Sequence, residues 1–431
     1  MNNRLYVISL IFFISIPACG QAYGPEGMFG GRINPDSTYT INIPQDTSPN
    51  PARGESVLQH PRPDYDPQPI SVGSFNLYPS LETGATYDSN IFATKNNAQS
   101  DGVFDARPIL VANSNWDRNA LSLVTFGDFN YYDKNTSENN NDAAVQAQGR
   151  IDVMEQTWIA LRGGYQNLIE QRGLPADVAA TTPTTFSVYS GGISAYRGVG
   201  IINAQIDYDW RRLDYGNTSS PAGTLDTSTE TRDEQTLKTK IGYDLTQNLK
   251  PYIQVSLNKR DYDSNPTRNS HGYEADAGFD ADFGGIVFLN AYAGWLAQNY
   301  YNFGSNEIND GFDFGGRAVW NITGLTSIVA EASRTIEEDP LSSFNSFMAT
   351  GGSLTLTHEL RRNVLIEGDL SYTHDSFQGA GTTGQNYPSA GGGVRWLINQ
   401  HFYTDLMYNY QEATPDIYMR NIVSLRLNMQ L

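Results

Sequence analysis

The final fourteen residues, Tyr418 to Leu431, constrain this chain more than any other stretch. From Val423 the odd positions read Val423, Leu425, Leu427, Met429 and Leu431. Between them stand Ser424, Arg426, Asn428 and Gln430. Alternation with period two makes a strand with one oily face and one wet face. An apolar residue at the very end is out of place in a soluble protein, whose termini ordinarily fray into water. It suits a closed barrel in a bacterial outer membrane, where the last strand pairs with the first and leaves no edge. An edge strand of a soluble β-sandwich is the alternative that the rest of the chain must decide.

The connections decide it. Alternating segments begin near Phe75, Val103, Ala120, Asp142, Thr157, Thr185, Ile201, Thr231, Tyr252, His271, Ile286, Gly311, Thr326, Ser346, Asn363, Tyr387, His401 and Tyr418, eighteen in all. Each is long enough for the ~9–11 residues that a tilted strand needs to cross a bilayer. Every second connection is short, as at Met154 to Gln156, Gly284-Gly285, Arg361-Arg362 and Asn399-Gln400. The others are longer and polar, such as Lys134 to Asn141, Gln171 to Pro183 and Gly216 to Glu230. Short periplasmic turns alternating with long external loops are the topology of outer-membrane barrels. An even strand count puts both barrel ends on the periplasmic side. The expected fold is therefore all-β: a transmembrane antiparallel up-and-down barrel of about 18 strands over residues 73–431.

The N-terminus supplies the export route. Arg4, an apolar run from Leu5 to Ile16, and the small residues Ala18, Gly20 and Ala22 have the layout of a secretory signal peptide, residues 1–22. Cleavage after Ala22 fits better than lipidation of Cys19, because Pro17 spoils the lipoprotein box Ile16-Pro17-Ala18-Cys19. Residues 23 to 74 carry nine prolines and little periodicity. A disordered periplasmic arm is expected over 23–72, since such a segment buries too little apolar surface to offset its chain entropy. A formal charge of −19 argues against a nucleic-acid partner.

Alternation also assigns faces. A charge on the lipid side near the midplane costs ~2–4 kcal/mol, so the charged face of each strand must be the lumen. Asp207, Asp209 and Arg211 then face inward against Ile206, Tyr208 and Trp210. Glu274, Asp276, Asp280 and Asp282 face inward against Tyr273, Ala275, Phe279 and Ala281. Arg260, Glu367, Asp369 and Arg395 complete the candidate pore lining. Over all inward strand positions, thirteen acids oppose nine bases, an excess of four negative charges. Cross-strand pairs account for most of these, with Arg260 expected to meet the acids of the next strand. The remaining acid excess is left to filter solutes. Trp158, Trp210, Trp320 and Trp396 near strand ends suit interfacial girdles.

Residues 60–92, HPRPDYDPQPISVGSFNLYPSLETGATYDSNIF, carry the RPDYDP run, the Gly73-Ser74-Phe75 turn with Pro79, and the close Tyr87 to Asn90. Together with residues 100 to 123 this opening resembles the putative β-barrel porin 2 family of Gram-negative outer membranes. The resemblance implies an outer-membrane barrel and passage of saccharides or export of an exopolysaccharide, with polysaccharide-export components among its partners. Val423, Leu425, Leu427, Met429 and Leu431 resemble the C-terminal signal of the barrel-assembly machinery, with Leu431 where Phe or Trp is usual. Outer-membrane lipid and lipopolysaccharide are the other expected partners. An occluded structural or surface-binding barrel is the second reading.

Nothing points to catalysis or a cofactor. Gly379 to Gly384 has dinucleotide-like glycine spacing but lies in a hairpin loop, with no helix after it. Asp261 to Asn265 begins like a calcium loop, yet Pro266 follows where glycine is required. His60, His271, His358, His374 and His401 show no metal-ligand spacing. A non-enzymatic barrel without cofactor or bound metal is expected.

Overall fold

The protein is described from a computed structural model covering residues 56–173, 180–220, 223–301, 307–338, 346–377, 384–415 and 417–431. The expected signal peptide with its cleavage site, Cys19 and most of the Gly379 to Gly384 loop lie outside the described residues.

One antiparallel sheet of nineteen strands closes on itself; setting aside the three-residue strand Ile70–Val72, eighteen form the barrel wall. They are β1 (Phe75–Asp88), β2 (Asp101–Ser114), β3 (Ala120–Tyr132), β4 (Asn140–Met154), β5 (Thr157–Ile169) and β6 (Thr185–Val199). Then follow β7 (Ile202–Tyr215), β8 (Arg232–Tyr243), β9 (Leu249–Tyr262), β10 (Ser270–Phe283), β11 (Val287–Tyr300) and β12 (Glu307–Thr323). The chain ends with β13 (Thr326–Glu338), β14 (Ser346–Arg361), β15 (Val364–Phe377), β16 (Gln385–Asn399), β17 (Phe402–Ala413) and β18 (Tyr418–Gln430). The seam pairs β1 with β18, from Ser80 opposite Gln430 to Asp88 opposite Ile422. Closure leaves no strand edge in the wall, which a hydrocarbon environment demands.

The faces follow the alternation. Leu425, Leu370, Ile253 and Leu161 are each more than half exposed on the outer surface, where lipid would cover them. Their sequence neighbours Arg426, Asp369, Gln254 and Arg162 turn inward into hydrogen bonds and ion pairs. Among the tryptophans, Trp320 and Trp396 are exposed on the outside. Trp158 is a correction: it is buried on the inner face, stacked on Tyr196 with ring centroids 5.4 Å apart and Arg150 above it.

Part of the stretch expected as a disordered arm is held on the barrel. Residues 56–72 include a 3-10 turn (Val57–Gln59) and the short strand Ile70–Val72, which pairs with Phe75 to Leu77 of β1. Its prolines bar regular pairing over most of that length, so side chains of the barrel tie its backbone down instead.

Candidate functional site

The inner wall carries charge in paired rows. Arg162 on β5 reaches Asp209 on β7 with Nε at 2.7 Å, and its Nη1 donates to Ser194 Oγ at 2.6 Å. Ser194 Oγ in turn donates to Asp207 at 2.5 Å, where the Gln205 amide also binds. Arg211 and Arg232 converge on Glu234. Asp280 accepts from Lys240 at 3.2 Å and from Asn290 at 2.7 Å. Asp282 accepts the Gly285 N–H at 2.6 Å and so shapes the turn after β10.

Across the seam the pattern continues. Arg395 grips Asp405 with two bonds of 2.8 and 2.9 Å and lies over the Tyr403 ring. Arg426 meets Asp105 at 3.3 Å, and Arg107 meets Asp128 at 2.9 Å. Glu367 and Asp369 are buried against Thr357 and Thr355. Most of the pore-lining candidates named from the sequence are held in cross-strand partnerships. Arg260 is the exception in partner: its guanidinium binds Glu338, four strands along, and not an acid of β10.

Glu338 is the hub of the external mouth. Besides Arg260 it accepts the hydroxyls of Tyr262 and Tyr300, each at 2.9 Å, with Arg268 at 3.8 Å. Arg268 turns its other nitrogen to Glu230 at 2.5 Å. Burial pushes the Glu230 carboxyl up, against the pull of Arg268 and Arg232. Sequence alternation could not find Glu338, because counting from Ile328 puts it with the outward set; the strand's end turns in to make these contacts.

On the other side of the mouth, loops close in. Arg172 clasps Glu138 with bonds of 3.0 and 2.8 Å, both side chains buried. Gly173, at φ +84°, lies so close that a Cβ would stand 2.5 Å from Ala93 and 2.6 Å from Tyr418. The inner face beneath is apolar, built from Leu168, Phe186, Val188, Leu213 and Tyr215 with Phe126 against them. The loop Asp261 to Asn265 is tied by Arg212 to Asp263 and by Lys259 to Asp261, which leaves those acids occupied by cations of the chain.

The periplasmic rim is lined by the segment after residue 56. Val57 is fully buried, and its N–H donates to Ser327 Oγ at 2.9 Å. Arg62 Nη2 binds Glu359 at 2.7 Å and His60 Nδ1 stands 3.3 Å from the same oxygen. Arg362, Gln400 and Gln430 then donate to the carbonyls of Pro61, Pro63 and Tyr65 in turn. Burial lowers the Arg62 guanidinium from its ordinary value and raises the Asp66 carboxyl. The remaining histidines are dispersed: His358 bonds Thr326, His374 bonds Asn386, and His271 stacks on Tyr301. Three acids do gather, Glu274, Asp276 and Asp313.

The family described as "putative beta-barrel porin 2" matches residues 62–431. No curated protein matches the chain in sequence. Solved structures of similar shape include OccAB3 of Acinetobacter baumannii, 8% identical, with a TM-score of 0.48 over 84% of this chain and 100% of that one. OpdL of Pseudomonas aeruginosa is 12% identical, with a TM-score of 0.46 over 84% and 99%. A BenF-like porin from Pseudomonas fluorescens Pf-5 is 10% identical, with a TM-score of 0.46 over 82% and 99%.

Proposed function

This chain belongs to the putative β-barrel porin 2 family of outer-membrane barrels, and from that premise we propose that it is a channel for passive passage of small hydrophilic solutes, saccharides foremost. One observation carries the proposal: cross-strand pairs of charges recur around the inner wall, interrupted by an apolar patch near Leu168 and Phe186, while the outer wall is apolar. A barrel of ~16–18 strands is too wide for wall side chains alone to fill. A polar wall around such a space favours water and neutral hydroxylated solutes, because most of its charges are already paired. Export of a long polysaccharide has no observation of this kind behind it. The function is a conduit and not a catalyst. Its proposed partners are outer-membrane lipid and lipopolysaccharide on the apolar belt, and the assembly machinery at Val423 to Leu431.

A barrel held shut, serving as a surface scaffold, is the second reading. The burial of Ile91, Glu138 and Arg172 in the external mouth favours it. Liposome swelling separates the two. Purified protein should admit monosaccharides faster than oligosaccharides of increasing length. If neutral sugars fail to enter whatever their size, the scaffold reading stands and the channel falls.

A further inference from the structure

Gln254 on β9, Asp276 on β10, Gly294 on β11 and Asp313 on β12 form one row across four adjacent strands. Gly294 is the gap in that row. A Cβ there would overlap Asp276 Oδ1 and the Ala275 carbonyl oxygen, so only glycine lets the two aspartates face each other over β11. Glu274, two residues along the same face of β10, adds a third carboxylate. Oxygens of the three lie within 4.8 Å of one another.

A second observation points to a ligand. Asp276 and Asp313 are 6% and 2% exposed, and the Oδ1 atom of each is buried with no hydrogen-bond partner among the described residues. Gln254 holds Asp276 Oδ2 at 3.0 Å, which fixes the carboxylate with Oδ1 over the gap. Of the nearby cations, Lys240 is taken by Asp280, and Lys238 stands by Glu274. Two adjacent carboxylates cannot both stay ionised without a counter-charge between them.

We infer that Glu274, Asp276 and Asp313 hold one calcium ion in the lumen wall. The donors are carboxylate oxygens alone, which suit hard cations and not zinc or copper. A spread of up to 4.8 Å fits around an ion with oxygen distances of about 2.3–2.6 Å, whereas magnesium needs a tighter set at about 2.0–2.1 Å. Lumen water completes the coordination. The ion ties β10 to β12 across the glycine.

The test is calorimetric titration of EDTA-stripped barrel in detergent with calcium chloride. Wild type should bind one calcium more than an Asp276→Asn/Asp313→Asn variant, and calcium should raise the melting temperature of wild type alone. Magnesium should bind more weakly. Losing only the groups that hydrogen-bond to a metal's ligands costs about 10–100-fold in affinity, so loss of two ligands should cost more than about tenfold. If the double variant does not fold, Glu274→Gln keeps the facing pair and should weaken calcium binding without abolishing it. Equal calcium uptake by wild type and a folded variant would overturn the inference and leave a proton shared by the two aspartates. The titration needs no conduction, so its failure and that of the channel proposal are separate results.

Discussion

Arg62 and Glu359, 297 positions apart in the chain, meet at 2.7 Å inside the periplasmic rim. With His60 and Arg362 on the same carboxylate, they pin the segment before β1 to the wall. Glu359 is only 3% exposed, so removing its main partner leaves a buried charge. Arg62→Ala should therefore cost roughly 3 kcal/mol, the low end for breaking a buried pair, because His60 and Arg362 remain. The expected result is a lower melting temperature with faster proteolysis between residues 56 and 69. An unchanged melt would show that the segment is only resting there.

Ion pairs should differ in worth according to their burial. Asp405→Asn leaves Arg395 without its two-bond partner; the pair is 15% and 5% exposed, and a loss of about 3 kcal/mol is expected. Lys259→Ala at the exposed pair with Asp261, 58% and 35% exposed, should cost under ~1 kcal/mol. Thermal melts of the two variants side by side check the ranking.

The seam makes its own demand. Leu431 donates its N–H to the Pro79 carbonyl at 3.2 Å, and Asn428 to Gln430 pair with Ser80 to Glu82. Deleting Asn428 to Leu431 strips partners from β1, at several kcal/mol for each backbone group left in hydrocarbon. No heat-modifiable barrel should reach the outer membrane. Leu431→Phe should insert normally, since it keeps the backbone and the apolar end.

The acid row on β10 should bias ion flow less than its sequence suggests. Asp280 is bound by Lys240, and Asp282 caps a turn. Glu274 and Asp276 should then carry most of any cation preference. With EDTA present, Glu274→Gln/Asp276→Asn should move the reversal potential towards the anion side as far as the quadruple change with Asp280→Asn and Asp282→Asn. The shift should fade as salt rises, because screening acts within ~10 Å at 0.1 M. A quadruple variant that shifts much further than the double would return Asp280 and Asp282 to the filter.

Most of the wall was legible in the sequence because a membrane strand has a strict period and a strict penalty for charge on the wrong face. Strand starts at Phe75, Ala120, Thr157, Thr185, Thr326, Ser346 and Tyr418 coincide with those read from alternation. What alternation cannot give is a partner. It places Arg260 inward but not against Glu338, since that contact depends on how far a long side chain reaches around the ring. It also fails beyond the bilayer, where the lipid penalty ends and Glu338 can turn in from an outward position. The segment after residue 56 was missed for a related reason. Its own composition builds no core, and the surface that buries Val57 belongs to strands some 270 residues later in the chain.

A barrel that conducts through a polar lumen narrowed at its external mouth should pass ions in discrete steps. Single-channel recording in a planar bilayer tests it most directly, on wild type and on Glu338→Ala, which cuts the tie from Arg260, Tyr262 and Tyr300. Discrete conductance steps are expected for wild type and larger steps for the variant. Silence from both, with the barrel folded and inserted, would contradict that expectation.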